Sequence, residues 1–136
     1  MKAIYRIPFM IAARLMFGLL LMVLIFHMCV LLGWIPHTIV WGGRIQSQKE
    51  FILLESVSLL INLLLIWIIA QKAGYVKKLF SERALKLCLW CMAGLFALNT
   101  IGNLMAISTF EKAVFTPLTF VSAFFCARLA LGQNQN

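Results

Sequence analysis

The chain has 136 residues, 63% of them hydrophobic and only 12% charged, against roughly 25% charged in a soluble domain. Twelve Lys and Arg face four Glu and no Asp, for a net charge of +8. Such a composition excludes an ordinary soluble domain, and the length excludes a multidomain machine, so one compact unit covering residues 1–136 is expected.

Four apolar blocks lie near the length of about 20 residues that crosses a hydrocarbon core. Strand-like alternation is absent, and spanning backbone must satisfy its own hydrogen bonds, so the blocks predict helices. The first, residues 15–33, is interrupted only by His27. Its basic start resembles a signal peptide. The apolar run is too long for one, however, and Gly33-Trp34-Ile35-Pro36 replaces a small-x-small cleavage site, so a retained helix is expected.

The segment 34–50 forms the first connection. Trp34 and Trp41 suit interfacial anchors, and Gly42-Gly43 suits a turn. Without a preceding strand this glycine pair is no phosphate loop, and no cofactor is expected. Ser47-Gln48-Lys49-Glu50 has capping-box spacing ahead of the second block.

That second block, residues 51–70, carries Glu55, Ser56, Ser58 and Asn62. Its fourteen Leu, Ile, Val and Phe supply about −4 to −8 kcal/mol of insertion energy, which offsets about 3 kcal/mol for one central acid. A buried carboxylate is costly unless a cation such as His27 or an Arg pairs with it. The structural alternatives are a hydrated Glu55 near the interface, or one bonded to Asn103.

Residues 71–86 mix five basic residues with Tyr75, Leu79 and Phe80. Such a loop suits contact with anionic headgroups; nucleic acid is not an expected partner. Ser81-Glu82 suits the start of the third helix. This block, residues 85–107, contains Cys88, Cys91, Asn99, Thr100 and Asn103. Cys88 and Cys91 have the C-x-x-C spacing of thiol redox chemistry, with Lys86 and a helix start to favour a thiolate. The charge bias places them near the reducing cytoplasm, which weakens that reading.

The fourth block, residues 114–131, carries Thr116, Thr119, Ser122 and Arg128. Ser108-Thr109-Phe110-Glu111 repeats the capping spacing, so a start there with a kink at Pro117 is expected. A start at Pro117 would leave about 15 residues, or roughly 22 Å.

Nine basic residues flank the termini and the 71–86 loop, and three flank the other two loops. Positive-inside logic predicts an antiparallel four-helix bundle with both termini in the cytoplasm, multi-pass in a bacterial cytoplasmic membrane. That imbalance argues against insertion in both orientations.

At 100° per residue, Glu55, Ser58 and Asn62 share a face of the second helix. Asn99, Gly102 and Asn103 share a face of the third, and Thr116, Thr119 and Ser122 a face of the fourth. By depth, His27, Asn99 and Thr119 lie together in the outer half. Glu55, Asn103 and Thr116 lie one turn further out, and Asn62 lies near the midplane. The expectation is a polar pocket in the outer half, with Glu55, His27, Asn62, Asn99 and Asn103 as candidates for binding a ligand or proton. His27, His37 and Glu55 fit no metal-ligand spacing, and no metal is expected. In size and span count the chain resembles small multidrug exporters and small redox-associated membrane proteins; the exporters carry their acid in the first helix, this chain in its second. No nucleophile–base pair or nucleotide loop is legible. A binding or accessory role, with a membrane protein, a second copy or lipid as partner, is therefore expected ahead of transport through Glu55 or redox chemistry at Cys88 and Cys91.

Overall fold

A computed structural model describes residues 7–36, 40–41, 45 and 47–132. The described residues are helical and contain no strand. Helix α1 runs Phe9–Leu31, α2 Gln48–Ala73, α3 Glu82–Leu104 and α4 Thr116–Ala130, with a π-helical turn at Glu111–Phe115 leading into α4. By length and apolarity four helices can cross a membrane, the fourth counted from Glu111. Four such helices are compatible with a small multi-pass membrane protein.

Each helix starts or stops for a local reason. The Ser47 side chain accepts a hydrogen bond from the Glu50 N–H at 3.2 Å, and Ser81 accepts one from Ala84 at 3.2 Å. Both satisfy donors that the first helical turn leaves open. Gly74 ends α2 at φ +79°, a left-handed conformation that glycine adopts without steric cost. The helices overrun the expected apolar blocks at several ends. Helix α1 starts at Phe9, before Arg14, and α2 continues to Ala73, because caps and turns fix helix ends whereas hydropathy marks only the greasy middle. Helix α3 instead stops at Leu104, short of residue 107.

Ser108 caps the fourth segment as the spacing predicts, accepting from the Glu111 N–H at 3.3 Å. The expected Pro kink takes the form of a π turn. Pro117 donates no N–H and its ring crowds the carbonyl four residues back; a wider turn immediately before it relieves that crowding.

Helix α1 packs on α2 and α4, and α4 packs on α3, whereas α2 and α3 form the loosest of the neighbouring pairs. The main apolar core joins the start of α1 (Ala12, Ala13, Met16), the end of α2 (Leu65, Ile69), the start of α3 (Leu85, Leu89) and the end of α4 (Cys126, Leu129). This end of the bundle is closed. Gln71, fully buried, accepts from the N–H groups of Leu79 (2.8 Å) and Phe80 (3.1 Å) and so ties the α2–α3 loop to α2. Glu82 bonds Lys72 at 2.7 Å and also pairs with Lys78. Arg128, counted for the charge bias at the carboxyl-terminal end of the fourth block, is buried. Its guanidinium donates to the carbonyls of Ile7 and Gly132, each at 2.8 Å, and lies 6.0 Å from the Phe9 ring centre. A single side chain thereby joins the residues just before α1 to those just after α4. The opposite end carries a smaller cluster of Val30, Val40 and Phe51, and there the helices part around a cavity.

Candidate functional site

Glu55 is fully buried on α2. Its carboxylate Oε2 lies 2.7 Å from His27 Nδ1 on α1, and Oε1 accepts the indole N–H of Trp41 at 2.7 Å. Neither a hydrated acid nor a bond to Asn103 describes it. His27 is the cation-capable partner that burial of the acid called for. Trp41, expected at the interface beside Trp34, turns inward instead, while Trp34 remains exposed. The indole packs on the Val30–Phe51 cluster and finds a buried acceptor for its N–H, a combination that membrane headgroups do not offer. It does so from a left-handed backbone (φ 58°), a conformation costly for a bulky residue, so the surrounding contacts must hold it there.

A cavity of about 520 Å³ lies beside this triad, within the range of roughly 300–1,000 Å³ typical of small-molecule sites. Val23, Phe26 and His27 of α1 form one wall, and Val57, Ser58, Ile61 and Asn62 of α2 another. Leu95, Asn99, Gly102 and Asn103 come from α3, and Phe115, Leu118 and Thr119 from the fourth segment. Val40 and Trp41 of the α1–α2 connection also line it. Glu55 itself is not a lining residue: it sits one layer back, behind His27 and Trp41. With Nδ1–H donating to the carboxylate, the Glu55–His27 pair fixes the tautomer and leaves Nε2 as the open ring nitrogen.

Four of the five residues that the sequence nominated therefore line one cavity, and the fifth orients one of those four. They differ in how they are satisfied. Asn103 donates its amide to the Thr119 hydroxyl at 3.3 Å, and Thr100 lies 2.9 Å from the same hydroxyl. These contacts join α3 to the fourth segment as interhelical polar bonds commonly do. Asn99 is exposed along the cavity's edge. Asn62 is 5% exposed, and its Oδ1 has no hydrogen-bond partner.

Sequence reasoning missed Glu111. Its backbone N–H joins the cap on Ser108, as the capping spacing implies, but the residue is buried and lines the cavity. A capping signal describes a backbone donor and says nothing about where the acid's own carboxylate goes.

Cys88 packs against the core while Cys91 is exposed, so the C-x-x-C pair looks to two environments. Among the described residues no three His, Cys or acidic side chains gather as they would around a metal. His37, Gly42 and Gly43 lie outside the described residues. Compared with protein-family models, characterised proteins and solved structures, the chain matches none.

Proposed function

We propose that this membrane protein binds a small ligand in the cavity between its helices, as a binding or accessory component rather than as a catalyst. The carrying observation is Asn62, a buried amide oxygen without a partner in a cavity of about 520 Å³. An unsatisfied buried polar atom costs roughly 1–3 kcal/mol, a cost that a bound ligand or water removes. In this reading the chain is one antiparallel unit with both termini in the cytoplasm of a bacterial cell, and the cavity lies in the outer half of the membrane. The positive-inside bias supports that orientation. Lys77, Arg83 and Lys86, exposed around the α2–α3 loop, face anionic headgroups on the inner side.

The test is native mass spectrometry of protein extracted gently from its own membrane. A stoichiometric small molecule or lipid on the wild type, absent from a Gly102→Leu variant, is the expected result. Gly102 lines the cavity, and a β-carbon there meets nothing within 4 Å, so a leucine side chain starts from open space at the cavity edge. Wild type and variant both free of any ligand would contradict the proposal.

A second reading, a small proton- or cation-coupled transporter, draws on the His27–Glu55 pair, whose two groups can share or pass a proton. It requires that Glu55→Gln abolish coupled flux while leaving insertion normal.

A further inference from the structure

The binding reading above says nothing of ligand chemistry, and the cavity wall does. We infer that the ligand is an amphiphilic amine that enters from the bilayer between α2 and α3; this rests on the cavity being a binding site at all.

The wall holds no Lys or Arg among its described residues. Its polar groups near the triad include two acceptors. His27 lines the cavity and, with Nδ1 at Glu55, has Nε2 as its open nitrogen, an acceptor in the Nδ1–H tautomer. Asn62 Oδ1 is buried and unpartnered. An ammonium brings three donors and no acceptor, and so satisfies both. The charge agrees. The carboxyl group of Glu55 lies one layer behind His27, where any negative charge on it acts through a low-dielectric interior. That charge favours a cation on the cavity side and disfavours an anion. Aromatic rings at Phe26, Phe96 and Phe115 complete the surroundings of such a head group.

The route follows from packing. Helices α2 and α3 touch least of the neighbouring pairs, and the cavity residues along both lips of that seam are open. Val57 is 42% exposed and Ile61 38% on α2, and Leu95 is 37% exposed on α3. In a spanning bundle these lips face lipid. An apolar tail lying along Val57, Ile61 and Leu95 stays in contact with the bilayer while the ammonium sits at His27 and Asn62. A wholly polar cation would have to cross those lips without compensation.

The test uses the full chain in phosphatidylcholine nanodiscs, with Trp34, Trp67 and Trp90 changed to Phe so that emission reports on Trp41 at the cavity. Dodecylamine, dodecanol and dodecanoate, identical in chain and different in head, are titrated against empty-nanodisc controls. The expected result is saturation by dodecylamine at about ten-fold lower bilayer mole fraction than dodecanol, as charge-assisted bonds exceed neutral ones. Dodecanoate should give no saturation. Gly102→Leu should remove the amine response, and Leu98→Phe on the neighbouring lipid-facing surface should not. Equal saturation by dodecanol or dodecanoate, still blocked by Gly102→Leu, would overturn the amine and leave the binding reading standing. No saturation by any probe would also overturn the amine; the co-purified ligand on native mass spectrometry then decides the binding reading separately. Disulfide crosslinking of two copies through Leu95→Cys would place a second copy in the seam and overturn the route.

Discussion

Removing the Glu55 carboxylate tests the buried triad most sharply, because two substitutions of different chemistry should part. Glu55→Leu leaves the Trp41 N–H and His27 Nδ1 without their shared acceptor, two contacts of 2.7 Å each. Bonds to a charged acceptor contribute about 1.5–3 kcal/mol in water-soluble proteins. Side-chain bonds between membrane helices average only about 0.6 kcal/mol and reach about 1.7, because the unfolded chain in the membrane also finds partners. The membrane figures apply here, so the expected loss is ~1–3 kcal/mol, read from unfolding by dodecyl sulfate in mixed micelles. Glu55→Gln should cost less. Its amide oxygen can keep the Trp41 N–H, and its NH2 then turns toward His27 Nδ1, which must become an acceptor. The imidazole proton therefore moves to Nε2. Nitrogen-15 spectra resolve the tautomer, since the chain has only two histidines. A Glu55→Leu loss below about 0.5 kcal/mol, less than one average interhelical bond, or an unchanged His27 tautomer in Glu55→Gln, would refute the geometry.

Other perturbations address the closed end and the caps. Gln71→Leu removes the acceptor of the Leu79 and Phe80 N–H groups; a loss of about 1–2 kcal/mol is expected, with faster hydrogen exchange at those two amides. Arg128→Leu strips the donors from the Ile7 and Gly132 carbonyls, so limited proteolysis should cut ahead of α1 faster while cavity binding persists. Ser47→Ala deletes the α2 cap and should cost about 1 kcal/mol in the same unfolding assay.

The sequence made the four helices legible because each span needs its own apolar length, and Ser47, Ser81 and Ser108 marked starts that the structure reproduces. Periodicity also found the polar stripe of Glu55, Ser58 and Asn62, and the cost of burying an acid named His27 as one candidate partner of Glu55, although counting depth set the two about one turn apart. What it could not supply was the order of helices around the bundle. Periodicity gives each helix a face but not a neighbour, so the loose α2–α3 seam was invisible. Long-range commitments were equally hidden. Trp41 reads as an interfacial anchor and Arg128 only as a charge for orientation, yet each finds acceptors once distant segments meet, Glu55 for one and the Ile7 carbonyl for the other. Glu111 was read as a cap because local spacing explained it completely.

The most direct test of the account is thiol labelling at position 99 in intact cells. With the four native cysteines replaced, Asn99→Cys and Leu98→Cys sit one residue apart on α3. Only the first lines the cavity; Leu98 is 67% exposed on the lipid-facing side. A membrane-impermeant maleimide reacts with hydrated thiols alone. The account predicts labelling of Asn99→Cys from outside and none of Leu98→Cys. Equal silence at both positions would contradict a hydrated cavity, and labelling of Asn99→Cys only after permeabilisation would contradict its placement in the outer half.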